Sequence, residues 1–94
     1  MWFEWDLGKD RANRQKHGIS FETATLIFDD PGIMSTLDRR FEGIEERWQA
    51  IGKVHSAIIY VAFVLKETVN EEEIIRIISA RKATLREKRR YYTH

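Results

Sequence analysis

The run AIIYVAFVL (Ala57–Leu65) carries no charge and is apolar at odd and even positions alike. Successive side chains of a strand point to opposite faces, so a segment apolar at both parities has to be covered on both sides. It predicts a central strand. A second segment, EIIRIISA (Glu73–Ala80), is nearly as apolar, with Arg76 interrupting one of its faces. These segments tie the chain to a sheet.

The flanking sequence fills in the remaining elements. Met1–Trp5 alternates, with Phe3 and Trp5 on one face and Glu4 on the other, and reads as a short strand. Asp6 is a good N-cap for a helix over Leu7–His17, and Gly18 suits the left-handed position after its end. That helix has few large apolar residues, so it must lie on the surface. Ser20 caps a second helix, where Phe21, Ala24, Ile27 and Phe28 recur at helical spacing until Asp29-Asp30-Pro31-Gly32 ends it. Ile33–Asp38 and Arg47–Lys53 read as strands around a polar hairpin loop, Arg39–Glu45, that contains Gly43. Val54–Ser56 and Lys66–Glu72 read as turns. Thr84-Leu85-Arg86-Glu87 is a capping box opening a basic helix that runs to about Tyr92. The order strand, helix, helix, four strands, helix predicts an α+β domain: an antiparallel meander with the two early helices on one face.

The 94 residues suffice for one domain, residues 1–94, with no repeat, linker or low-complexity stretch. A hydrophobic share of 43% argues against disorder. The absence of Cys excludes a disulfide scaffold, a zinc knuckle, an iron–sulfur site and a thiol nucleophile, and fits a reducing cytoplasm. No apolar run approaches the roughly 20 residues of a membrane span, and the start has no signal-peptide pattern, so no membrane role is expected. His17, His55 and His94 lack metal-ligand spacing, and no metal or cofactor is expected. Net charge is only +1, from 16 Lys plus Arg against 15 Asp plus Glu. That sum hides a division. The stretch 19–75 is acidic, whereas 76–94 sets Arg76, Arg81, Lys82, Arg86, Lys88, Arg89 and Arg90 against Glu87 alone. A cationic end on an acidic domain suits a polyanion or an acidic protein partner; a solvated basic helix is the plainer alternative.

The opening FEWDLGKDRANRQKHGISFETA resembles that of the BrnT toxin family. The matching positions are Trp5, Asp6, Lys9, Asn13, Lys16, His17, Gly18, Ile19, Ser20, Phe21 and Ala24. FDDP (Phe28–Pro31), ERWQAIG (Glu46–Gly52) and RIISARKATLREKRRYY (Arg76–Tyr92) follow in the same order, so the likeness covers nearly the whole chain. One departure is Lys66–Glu73, longer and more acidic than expected between those strands. The resemblance implies a RelE-like fold, βααββββα, and a ribonuclease toxin of a type II toxin–antitoxin pair. It also implies a small antitoxin with a ribbon-helix-helix domain, through which the complex reaches operator DNA.

Metal-free RNA cleavage requires deprotonation of the 2′-hydroxyl, stabilisation of charge on the phosphate and protonation of the leaving oxygen. Arginine suits the second task. Arg76, a charge inside an apolar strand, and Arg81, at the strand end, are the leading candidates. Being five apart, they would point to opposite faces of a regular strand, so a shared site requires the strand to end or bulge near Ser79. The plain alternatives are an ion pair for Arg76 with a cross-strand Glu and a solvated Arg81. His17 is a candidate general acid or a helix cap. Glu46 beside Arg47 offers a base and a phosphate clamp, or an ordinary exposed pair. Lys9, Asn13 and Lys16 share a helix face that either tracks phosphates, meets an antitoxin, or is simply solvated with Asn13 bonding to a neighbouring loop. Arg86, Arg89, Arg90 and Tyr91 would bind RNA, or the basic run would meet an acidic antitoxin segment; one Tyr ring of the last helix packing on the sheet is equally open. Trp2, Phe3, Trp5 and Trp48 are stacking candidates or core. A module that binds nucleic acid without cutting it is the competing function.

Overall fold

A computed structural model describes residues 1–94. In chain order the elements are Trp2–Glu4 (β1), Leu7–His17 (α1), Phe21–Ala24 (α2), Met34–Leu37 (β2), Arg47–Val54 (β3), Ala57–Glu67 (β4), Glu73–Lys82 (β5) and Leu85–Thr93 (α3). Short 3₁₀ turns occupy Thr25–Asp29 and Arg39–Phe41. The strands form one five-stranded sheet in the order β1-β5-β4-β3-β2. Strands β2 to β5 are the expected antiparallel meander, and β1 joins β5 in parallel through Trp2↔Ile74, Phe3↔Ile75 and Glu4↔Arg76. The domain is α+β. No helix is long and apolar enough to cross a membrane.

Local chemistry explains the boundaries. The Asp6 carboxylate accepts from the Lys9 amide at 2.9 Å, and Gly18 closes α1 at φ 71° with its N–H on the Arg14 carbonyl. The helix expected over Phe21–Phe28 is divided. It is α-helical only to Ala24 and then tightens into the 3₁₀ turn, where β-branched Thr25 and Ile27 resist further α winding. The tighter path drives Ile27 onto β3, where a Cβ on Gly52 would lie 2.6 Å from the Ile27 Cβ. Both central strands run longer than their apolar cores suggest. Lys66↔Ile74 and Glu67↔Glu73 still pair, because a backbone ladder in register continues whatever the side chains. The expected charged turn shrinks to Thr68–Glu72.

Both faces of β4 are covered, as its composition demands. On one, Val61, Phe63, Ile75 and Ile77 pack with Ala50 under Phe21, Ala24 and Ile27. On the other, Ile51, Ile58 and Ala83 pack with Met34, Tyr60 and Tyr91 beneath α3. This second cover is partial: Ala62 and Val64 lie beyond it, flanked in register by Gln49 and Ser79 and by Arg47 and Arg76.

A β-bulge interrupts β5. Ala62 pairs with Ser79 but Phe63 pairs with Ile77, which leaves Ile78 as an extra residue. Beyond the bulge, Asn13 substitutes for a strand where β1 has ended. Its amide accepts from the Ala80 N–H at 3.1 Å and donates to the Ala80 carbonyl at 2.8 Å and the Ile19 carbonyl at 2.9 Å.

Candidate nucleic-acid interface

The bulge sets the site. Because Ile78 is extra, the alternation of β5 slips by one, and Arg76 and Arg81 emerge on the same face, the one that α3 partly covers. Three rows cross that face. Glu4, Arg76, Val64 and Arg47 lie in register across β1, β5, β4 and β3. Ser79, Ala62, Gln49 and Thr36 follow, then Arg81, Tyr60, Ile51 and Met34. Arg76 and Arg81 share a side but not a point: their partners Val64 and Tyr60 are about 13 Å apart at roughly 3.3 Å per residue.

Each guanidinium is held. Arg81 donates to both carboxylate oxygens of Glu87, at 2.7 and 3.0 Å, and lies 3.9 Å over the Tyr60 ring. Glu87 also accepts from the Thr84 amide at 2.9 Å, so the carboxylate that starts α3 also aims Arg81. The Arg81 guanidinium holds the Glu87 carboxyl below its usual range, and Glu87 in turn raises Arg81. Burial pushes the Tyr60 phenol up, so it stays protonated at neutral pH. Arg76 donates to Glu4 at 2.8 Å, and Lys66 joins the same carboxylate at 3.1 Å; these bonds lower the Glu4 carboxyl. Arg47 donates to Glu45 at 2.7 Å and lies 3.9 Å over the Phe41 ring. Arg40 forks onto buried Asp38 at 2.9 and 2.6 Å, and Gln49 adds a bond at 3.2 Å, holding the Asp38 carboxyl far below its usual range.

Between α3 and the sheet lies a small hollow lined by Met34, Thr36, Gln49, Ile51, Tyr60, Glu87 and Arg90. Arg90 at its edge, and Arg86, Lys88 and Arg89 along the same helix, form no ion pair. An open sheet face studded with anchored arginines and flanked by free cations can bind a polyanion and stabilise charge on it.

The other expected residues are dispersed. His17 ends α1 and is neither in the lining of the hollow nor among the partners of Arg81. Glu46 sits next to Arg47 but on the opposite face, accepting from Trp48 Nε1 at 3.2 Å. Lys9 and Lys16 are exposed on α1, yet Asn13 between them is buried against β5, so the three do not form one solvated surface. Tyr91 packs its ring under α3, and its hydroxyl donates to Asp30 at 2.6 Å, which pushes the phenol up to about 12. It fastens α3 rather than facing outward. Burial alone would raise Asp30, but bonds from Tyr91 and the Lys53 and Gly32 amides hold it low. Trp5 and Trp48 pack against the main core, whereas Trp2 is exposed and donates to Glu72 at 2.8 Å. Sequence reading missed Tyr60, Gln49 and the Arg40–Asp38 pair. Tyr60 carries the only hydroxyl in AIIYVAFVL, which was its one available signal.

Against models of known families, residues 5–87 match BrnT, the ribonuclease toxin of a type II toxin–antitoxin system. No curated protein matches the chain.

Proposed function

The chain belongs to the BrnT family of ribonuclease toxins of type II toxin–antitoxin systems, and from that premise we propose that it cuts RNA, without a metal, on the α3 side of its sheet. Family membership brings an RNA target and an antitoxin partner with it. We extend this to a RelE-like topology, a cytoplasmic site of action and a ribbon-helix-helix antitoxin that links the complex to operator DNA.

The observation that carries the reading is the constellation of Arg81, Tyr60 and Glu87 at the mouth of the hollow. Arg81, pre-aimed by Glu87, offers donors to the phosphate oxygens as negative charge builds on them. The Tyr60 hydroxyl has no partner within the protein and stands beside that guanidinium. A phenol held protonated can give its proton to a leaving alkoxide, which is far more basic. Arg76 and Arg47, one end of the sheet away, take the phosphates of neighbouring nucleotides. Arg86, Arg89 and Arg90 track the backbone along α3. His17 and Glu46 have no part in this arrangement, and Tyr91 acts by holding α3 in place.

The test is cleavage of total RNA by purified wild-type chain and by Arg81→Ala, with a chelator present throughout. Losing a preorganised donor to the developing charge lowers cleavage by about 100-fold or more. Cleavage surviving within a few-fold would remove Arg81 from the mechanism, and dependence on added divalent metal would remove the metal-free step. RNA that is bound in a steeply salt-dependent way but left intact would identify a binding module instead.

A further inference from the structure

The face of the sheet opposite the arginines is only half covered. Phe21, Ala24 and Ile27 shield one end of it; at the other, Trp48 pairs with Phe63 and Leu65 with Ile75, in adjacent rows that line an open groove. Phe28 walls the groove, Met1 is 66% exposed at its rim, and its volume is about 210 Å³. The next row on the same face is Glu67 opposite Glu73, with Glu46 beside Trp48. None of these carboxylates forms an ion pair, and like charges directly opposed across a ladder are unfavourable. An apolar floor that runs out into unneutralised acid fits a segment that is apolar on one side and carries Lys or Arg at one end.

We infer that this groove is where the antitoxin anchors, by such a cationic amphipathic segment. The inference rests on the toxin reading above. The unneutralised carboxylates at the end of the groove attract such a segment, and the free cations along α3 repel it. Anchoring and blockage of the RNA face are then separate contacts, on opposite sides of one sheet.

The probe is the purified product of the reading frame adjacent to this chain's gene, titrated calorimetrically into the full-length chain at low and high salt. Leu65→Lys and the exposed double variant Glu67→Lys/Glu73→Lys each weaken binding at least tenfold, while RNA cleavage stays within twofold of wild type. Thermal melting checks that Leu65→Lys is folded; the double variant alters only exposed side chains and stands independently. Arg86→Glu/Arg89→Glu, on the other face, leaves affinity within a few-fold. Undiminished affinity in the groove variants, absence of binding to the wild type, or a tenfold loss confined to the α3 variant overturns the proposal. So does a dimer of the chain alone that Glu67→Lys/Glu73→Lys dissolves, since the occupant would then be a second copy. The binding readout does not depend on catalysis. A chain that leaves RNA intact sinks the ribonuclease mechanism without touching the groove, and active groove variants that bind normally sink only the groove.

Discussion

The two faces of the β4–β5 hairpin share a backbone and divide the labour. Directly beneath α2 one face is sealed, with its groove open only beyond Phe28: Phe21, Ile27, Val61 and Ile77 are fully buried, and no charged side chain enters their cluster. Beneath α3 the other face is half open, and Arg47, Arg76 and Arg81, which rise from its strands, are each fixed by a carboxylate, with Arg81 and Arg47 also lying on aromatic rings. The contrast teaches where each kind of energy is placed. Apolar burial, roughly 25 cal/mol per Å², holds the sheet together from one side. The other side is left free to hold cations at fixed positions, where repulsion among them would otherwise be disruptive.

If that division is real, damage to each face should read out differently. The largest effect belongs to Phe21→Ala, which empties a fully buried site. It should cost about 3–5 kcal/mol in urea unfolding while leaving cleavage per folded molecule unchanged. A matching loss of specific activity would break the comparison. Tyr91→Phe removes the bond from α3 to Asp30 and should cost about 1–2 kcal/mol. It should lower cleavage more than so small a loss of stability accounts for, because α3 carries Glu87 and Arg90; equal proportional losses would make α3 a mere cover. The smallest and most distributed effect is acid sensitivity. Glu4, Asp38 and Glu87 lie on the arginine face and Asp30 beneath α3, and all have folded pKa values below their ordinary 4.5 or 3.8. The stability they lend is complete above those ordinary values and drains away as pH falls below about 4. Melting followed by Tyr or Trp fluorescence should hold from pH 7 to about 5 and then decline, and Arg81 should loosen as Glu87 takes up its proton.

Much of the scaffold was readable from residue patterns. AIIYVAFVL demanded cover on both sides and has it. Asp6, Ser20 and Thr84 cap the helices they were expected to cap, and the Glu87 half of the capping box is in place. What escaped was long-range. Nothing in MWFEW announces that β1 will join β5 in parallel, since its partner is some seventy residues away. Asn13 looked like a companion of Lys9 and Lys16 because helical spacing aligns them. Its buried role depends on β1 stopping short of Ala80, a fact of topology. The site was half legible. Arg76 and Arg81 could be singled out as charges in an apolar setting, together with the condition that a bulge must intervene for them to share a face. No Gly or Pro marks that bulge, so its presence could not be read. Tyr60 was hidden in plain view, because only cross-strand register reveals that it faces Arg81.

Ile78 makes the shared arginine face a matter of parity. The two arginines are five positions apart, an odd offset, and one uncounted position makes the effective offset even. Excising the Ile78 codon would remove the bulge together with its extra residue, leaving Arg76 and Arg81 four positions apart in a regular strand and still on one face, opposite Val64 and Tyr60 as before. A reading-frame-preserving deletion of those three nucleotides should therefore be tolerated, and a screen for spontaneous survivors of toxin expression should find substitutions of Arg81 rather than loss of Ile78.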